Sequence, residues 1–478
     1  MNYKSVFNII GKVLLLEAVL LLLAFGVSVI YGEKCASDFV LSAAAAAILG
    51  AVMHFPTKNG RKSLSVRDSL AVAALTWLFA SLVGCMPFMT SGEISYFPDA
   101  FFETVSGFTT TGASILTDVE SMSRGLLFWR SFTHWLGGMG ILVLITAIAD
   151  GSGNGSTNIL KAEMPGHSLD KFTPKAKNNA KLLYGIYIAL TLLETVLLAA
   201  GGMPIFDSVV HALGTAGTGG FGIKSDSITS YSAYLQWVIT VFMLLFGVSF
   251  NLYCLLLMRR WREAVSSNEL KCYLGIYIAA CVIVFINIYP IYSSFSDVLR
   301  LSAFQTASII TTTGYATADF NTWPQLSKAV LFILMFCGGC MGSTAGGLKM
   351  SRITVLLQIC ANELRRSISP RAVNSVKLNG TVLTTEQERG VLSYLTLYIL
   401  IILGTFLIVS IGGLGIEEDF TAAVSCVNNI GPGFGLIGPA GSYAVYSGFS
   451  KIVLSFAMLI GRLEIYPLLS LLMLGSRR

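Results

Sequence analysis

The sequence predicts an all-α polytopic membrane protein: two N-terminal transmembrane helices followed by four repeats of span, short loop, span. Three observations carry this. The 478-residue chain is 54% hydrophobic and 12% charged, against roughly 25% charged in an ordinary soluble domain. Its uncharged runs match the length needed to cross a bilayer, about 20 apolar residues. A glycine-centred, hydroxyl-bearing segment also recurs four times, each time between two such runs.

The spans come in order. Two occupy 13–31 and 39–55, and eight more follow at 69–92, 131–149, 182–205, 227–258, 272–296, 329–348, 390–416 and 447–474. The apolar run of the first is too long for a signal-peptide core, and no small-x-small cleavage site follows near "YGEKC". The divisions expected are 1–67 for the two N-terminal helices, then 68–181, 182–271, 272–389 and 390–478 for the four repeats. Of the 32 Lys and Arg, 24 fall in the N-terminus, 56–67, 151–181, 259–271, 349–389 and the C-terminus. The positive-inside rule therefore places both termini in the cytoplasm. The net charge of +6 is a topology signal, and nothing in it asks for a nucleic-acid partner.

The recurring segments read "FFETVSGFTTTGAS", "VHALGTAGTGGFG", "FQTASIITTTGYA" and "TAAVSCVNNIGPGFG". They align on Gly112, Gly220, Gly314 and Gly431. The two positions before each anchor are Thr110 and Thr111, Thr218 and Gly219, Thr312 and Thr313, Asn429 and Ile430; six before stands Ser106, Gly214, Ser308 or Ser425. Each segment is too short and too polar to cross, and each falls on the outer side between spans of opposite direction. A half-helix that descends, followed by an extended stretch that climbs back, fits these limits. Such backbone is tolerated at membrane depth only when it is buried in protein or lines a water-filled cavity. Four hairpins facing one axis satisfy that together, giving four span–pore loop–span repeats around a pseudo-fourfold pore axis.

Glycine at each anchor permits backbone conformations barred to other residues. Rings of carbonyls can then replace the water shell of a cation in passage. The threonines add hydroxyl oxygens, and no Asp or Glu occupies 109–113, 217–221, 311–315 or 428–432. A neutral oxygen cage suits a monovalent cation, whereas Ca²⁺ and Mg²⁺ sites use carboxylates. The residues expected to meet the ion are Thr111, Gly112, Gly219, Gly220, Thr313, Gly314, Ile430 and Gly431. Glycine as a helix-packing residue accounts for "WLGGMGI" at 135–141, but not for four polar segments in register.

The second span of repeat three contains "FCGGCMGSTAGGLKMSR". Gly338, Gly339, Gly342, Gly346 and Gly347, with Ser343 and Thr344, predict a break near the bilayer centre and a gate beneath the loops, with Lys349 at its lower edge. The matching span of repeat two holds a single glycine and is expected to run unbroken. Arg462, deep in the last span, is either an electrostatic barrier on the cation path or a residue paired with Glu464 or snorkelling. Glu17 and Glu194 are lone acids in spans. "CGGC" at 337–340 has redox-motif spacing without a βαβ context, and the four histidines show no metal-ligand spacing. No catalytic set and no nucleotide loop is present, so the chain is not expected to be an enzyme.

The four anchors, "HWLGGMGI", "GCMGSTAGGLKMSR" and "GRLEIYP" together resemble the TrkH/KtrB/HKT potassium transporters. The two extra N-terminal spans and "NNIGPGF" resemble the TrkH branch. The resemblance covers essentially the whole chain. It implies potassium uptake across the bacterial inner membrane, with K⁺ as the transported ion and no catalytic cofactor. It also implies homodimers, a cytosolic ring of nucleotide-binding TrkA-type regulatory subunits, a gating loop at about 338–349, and Arg462 as the family's characteristic arginine. In plant relatives, serine at the first anchor goes with Na⁺ preference, so Gly112 implies K⁺. "GTGGF" in repeat two and "CMGS" in the loop depart modestly from the family pattern. The alternative is an ion-coupled secondary transporter, a K⁺/H⁺ or K⁺/Na⁺ symporter, but inverted repeats are expected there, and these four repeats run in parallel.

Overall fold

The chain's start and stop signals set its helices. A computed structural model describes residues 2–57, 64–141, 143–144, 176–369 and 375–472. The N-terminal helices span Tyr3–Ile30 and Ala36–His54. They cross where Gly11 and Gly50 meet: a Cβ on Gly11 would lie 2.7 Å from the Gly50 carbonyl. Small residues of this kind let membrane helices approach closely.

Each repeat then opens with a long helix. Repeat one begins with Val66–Gly84, started by a capping box of Ser65 and Asp68. Repeat two begins with Ala176–Ala200, and repeat three with Asn268–Ile288 behind Ser267. Repeat four begins with Thr385–Val409, started by the Thr384 and Gln387 capping box. The re-entrant half-helices follow as expected, at Phe97–Phe108, Ile205–Gly217, Phe295–Ile310 and Ile416–Asn428. An acid stands in the first turn of each: Asp99, Asp207, Asp297, and Glu417 to Asp419. That is the end of the helix dipole an anion stabilises.

The closing helices differ from the sequence expectation. Among the described residues six helices are long and apolar enough to cross a membrane, or seven if a bent pair counts as one span. The four expected closing spans are short or interrupted. Repeat one has Arg124–Met139, ending at Gly140 with φ of 86°, and the rest of the expected span lies largely outside the described residues. Repeat two has Ala233–Phe246 and Phe250–Leu257, bent by 89°. Repeat three has Gln325–Met335, then a loop, then Met350–Ile368, and repeat four has Gly448–Arg462 followed by Tyr466–Leu472.

The break in repeat two corrects the expectation of an unbroken helix, and its cause is tertiary. The loop of repeat three inserts at the break: Cys340 N–H donates to Gly247 O at 2.9 Å and Phe250 N–H donates to Gly342 O at 3.0 Å. Backbone groups freed from the helix find partners in another repeat, which membrane depth requires. The all-α expectation also needs one addition, a small antiparallel hairpin pairing Lys377–Leu378 with Thr381–Val382.

Candidate functional site: four converging loops and the loop beneath them

Each half-helix ends in the same backbone pattern. Thr110, Thr218, Thr312 and Asn429 take left-handed conformations with φ of 57°, 54°, 54° and 55°. Two residues later Gly112, Gly220, Gly314 and Gly431 have φ of 76°, 77°, 85° and 103°. Left-handed backbone at a β-branched threonine is costly and persists only where its surroundings enforce it. Here it recurs at the same register in all four repeats.

The anchors form a closed ring. A Cβ on Gly112 would strike the Gly219 carbonyl, one on Gly220 the Thr313 carbonyl, and one on Gly314 the Ile430 carbonyl. A Cβ on Gly431 would come within 2.7 Å of the Thr111 carbonyl. Each anchor therefore abuts the carbonyl one position before the anchor of the next repeat, in the order one, two, three, four and back to one. All four anchors also line a single cavity of about 320 Å³, together with Arg130, Lys224 and Tyr443. The walls use much of the hydroxyl chemistry internally. Thr109 and Thr111 hydroxyls share a 2.8 Å bond, as do Thr311 and Thr313, and Thr218 Oγ1 donates to Gly217 O at 2.6 Å. Asn429 Nδ2 donates to Thr111 Oγ1 of the neighbouring repeat at 3.0 Å.

Several buried groups behind the loops escaped the sequence reading. His134 Nε2 accepts from Phe221 N–H at 3.3 Å, so its Nδ1 carries the proton that is donated to Gly107 O at 2.7 Å. One imidazole thus joins the half-helix of repeat one to the loop of repeat two. Arg130 pairs with Glu103 at 2.7 Å, with both side chains buried, and donates to Gly222 O at 3.2 Å. Glu103 in turn accepts from Ser114 Oγ and Ile115 N–H, each at 2.9 Å. A lone polar residue in an apolar run has no spacing to flag it, although His134 and Arg130 lie four residues apart and so share one face of the helix.

The glycine-rich loop of repeat three lies directly beneath. It leaves its helix at a bridge between Cys337 and Leu348, where Gly338 N–H donates to Leu348 O at 2.9 Å. Gly346 N–H donates to Thr312 Oγ1 at 2.7 Å, and a Cβ there would lie 2.5 Å from Asn428 O. Gly342 and Gly347 have φ of 77° and 67°. Gly339 faces Ala345 and Gly247 O, and Ser343 Oγ donates to Cys340 O at 2.7 Å. Lys349 Nζ donates to the Ala345 carbonyl.

Arg462 grips the same loop. Its guanidinium donates to Thr344 O at 2.7 Å and to Gly137 O and Gly138 O at 2.5 and 2.7 Å. Those two carbonyls belong to the C-terminal end of Arg124–Met139, the negative end of a helix dipole. Glu464, the partner suggested by sequence, is ion-paired with Arg352.

Comparison with known proteins agrees with this architecture. The family model described as TrkH, cation transport protein, matches residues 36–474. The Trk system potassium uptake protein TrkH of Salmonella typhimurium is 32% identical over 481 residues, covering 98% of each chain. TrkG of Escherichia coli, also named a Trk system potassium uptake protein, is likewise 32% identical over 481 residues, covering 98% of each chain. The crystal structure of the potassium transporter TrkH from Vibrio parahaemolyticus superposes with a TM-score of 0.89 at 30% identity, covering 99% of each chain. With its fold, repeats and sequence in agreement, this chain belongs to the TrkH cation transport family.

Proposed function

We propose that this chain carries K⁺ into the cell across the inner membrane, through the ring formed by Gly112, Gly220, Gly314, Gly431 and the residues before them. The observation that carries this reading is the closed ring itself. Four loops of one backbone conformation bring anchors and carbonyls around a common axis, with no carboxylate among them. Neutral carbonyl oxygens in that arrangement suit a monovalent cation that sheds its water. The membrane potential supplies about 2.3 kcal/mol per charge per 100 mV, which drives uptake without ATP.

In this reading the four repeats divide at 68, 182, 272 and 390, both termini are cytoplasmic, and the 338–349 loop is the gate. Its position under Thr312 and Asn428, and the grip of Arg462 on Thr344, support the gating role. We further propose homodimers and a TrkA-type cytosolic nucleotide-binding ring as partners. The basic segment 349–389 is the docking surface; the other candidate surface, 151–181, falls mostly outside the described residues.

The test is ⁸⁶Rb⁺ uptake by the purified chain in proteoliposomes, with and without a TrkA-type partner and nucleotide. Uptake that K⁺ competes and Na⁺ does not is the expected result. Folded protein that takes up no Rb⁺ under either condition would refute the reading. Single-channel currents would set it apart from a symporter with alternating access.

A further inference from the structure

Resting on that reading, we infer that Glu269 is the positioning residue that latches the repeat-three loop shut, and that the cytoplasmic hairpin at 377–382 is the handle that holds the latch. Glu269 stands in the first turn of Asn268–Ile288 and is 6% exposed. Its Oε1 accepts two backbone N–H groups, from Met341 at 2.5 Å and from Ser351 at 3.0 Å. The two donors lie ten residues apart, enclose Gly342, Gly346 and Gly347, and share one oxygen. The segment between them is closed like a noose.

Beside the neutral bonds to Phe250 N–H and Thr312 Oγ1, charged groups hold the segment at four points. The carboxylate holds two amides at the ends of the segment, while Lys349 and Arg462 hold the carbonyls of Ala345 and Thr344 within it. Hydrogen bonds to ionised groups are about twice as strong as neutral ones. While both amides stay on Glu269, the segment cannot widen away from the Thr312 hydroxyl and the Asn428 carbonyl above it.

The latch has a route to the cytoplasmic surface. Asn379, left-handed at the turn of the hairpin with φ of 49°, accepts through Oδ1 from Ser267 Oγ at 3.2 Å and Asn268 N–H at 3.1 Å. It therefore caps the very turn that carries Glu269. The same hairpin is fastened to the helix that leaves the loop: Gln358 donates to Lys377 O and accepts from Lys377 N–H, both at 2.9 Å. The two strands are otherwise largely exposed. An exposed element bonded to both the turn bearing the latch and the helix leaving the loop can draw the two apart when a cytosolic partner pulls on it.

The experiment measures partner-independent ⁸⁶Rb⁺ uptake by the full chain in proteoliposomes, alongside hydrogen exchange at the Met341 and Ser351 amides. Glu269→Ala should raise uptake roughly tenfold, as expected when bonds to a buried charge are lost. It should speed exchange at both amides and leave the preference for K⁺ over Na⁺ unchanged. Glu269→Gln keeps an oxygen acceptor but loses the charge, so its uptake and amide protection should fall between those of Glu269→Ala and the wild type. Asn379→Ala, at an exposed turn, should raise uptake less, and the double variant should match Glu269→Ala alone, because both act on one element. Uptake by Glu269→Ala at or below the wild-type level, or equal behaviour of Ala and Gln, would overturn the inference. If the wild-type chain carries no Rb⁺, the transport reading fails by itself, and exchange at the two amides still decides whether Glu269 holds the loop.

Discussion

At the residue scale, the anchor glycines were legible because two independent demands fall on each. The backbone there is left-handed, and a neighbouring repeat's carbonyl fills the space a Cβ would take. Only glycine meets both without strain, so the sequence shows it at all four positions. His134 meets a demand the sequence cannot show, since its partners Gly107 and Phe221 are backbone groups 27 and 87 residues away. Replacing it leaves the buried Phe221 N–H unpaired, at a cost of about 1–3 kcal/mol, and leaves the Gly107 carbonyl with the Thr110 N–H at 3.1 Å. His134→Ala should therefore lower the thermal unfolding midpoint in detergent and weaken Rb⁺ selectivity against Na⁺. Wild-type values for both would mean the imidazole does not brace the second loop.

At the scale of elements, the half-helices were legible from short polar segments between apolar runs, each carrying a glycine anchor. The closing helices were not. The run 227–258 reads as one uninterrupted apolar span, yet it breaks between Phe246 and Phe250 because Gly247 O and Phe250 N–H bond to Cys340 and Gly342 of another repeat. Local propensity cannot foresee a helix opened by a segment about 90 residues later. Gly346 marks the tightest point between that segment and the loops above. Its added Cβ would lie 2.5 Å from Asn428 O and 3.0 Å from the Asn429 Cβ. Gly346→Ala should push the loop off its seat and increase Rb⁺ uptake in the absence of any cytosolic partner. Unchanged uptake and unchanged stability together would mean that the loop has room the static contacts do not reveal.

At the scale of the whole molecule, four repeats of one chain must close as subunits of an oligomer would, and every seam has its own stitches. Arg130 and His134 join repeat one to two. Ile228 N–H to Ala316 O at 3.0 Å joins two to three, and Asn321 Nδ2 to Gly435 O at 3.2 Å joins three to four. Tyr443 N–H to Ser114 O and the Lys451–Asp99 ion pair, at 2.9 and 2.7 Å, close four onto one. The fourfold plan was legible in the glycine register, while these unlike seams were not, because each uses different residues. Repeats that have drifted apart in side chains have kept the anchor glycine and the φ pattern of the loops.

That shared feature makes the central claim directly testable. The measurement is the K⁺ over Na⁺ competition ratio for ⁸⁶Rb⁺ uptake by four variants: Gly112→Ser, Gly220→Ser, Gly314→Ser and Gly431→Ser. If the anchors form one ring, each substitution drives a Cβ toward the next repeat's carbonyl, and all four variants lose discrimination while the folded chain persists. Wild-type discrimination in any of the four would contradict a selecting ring built from all the repeats.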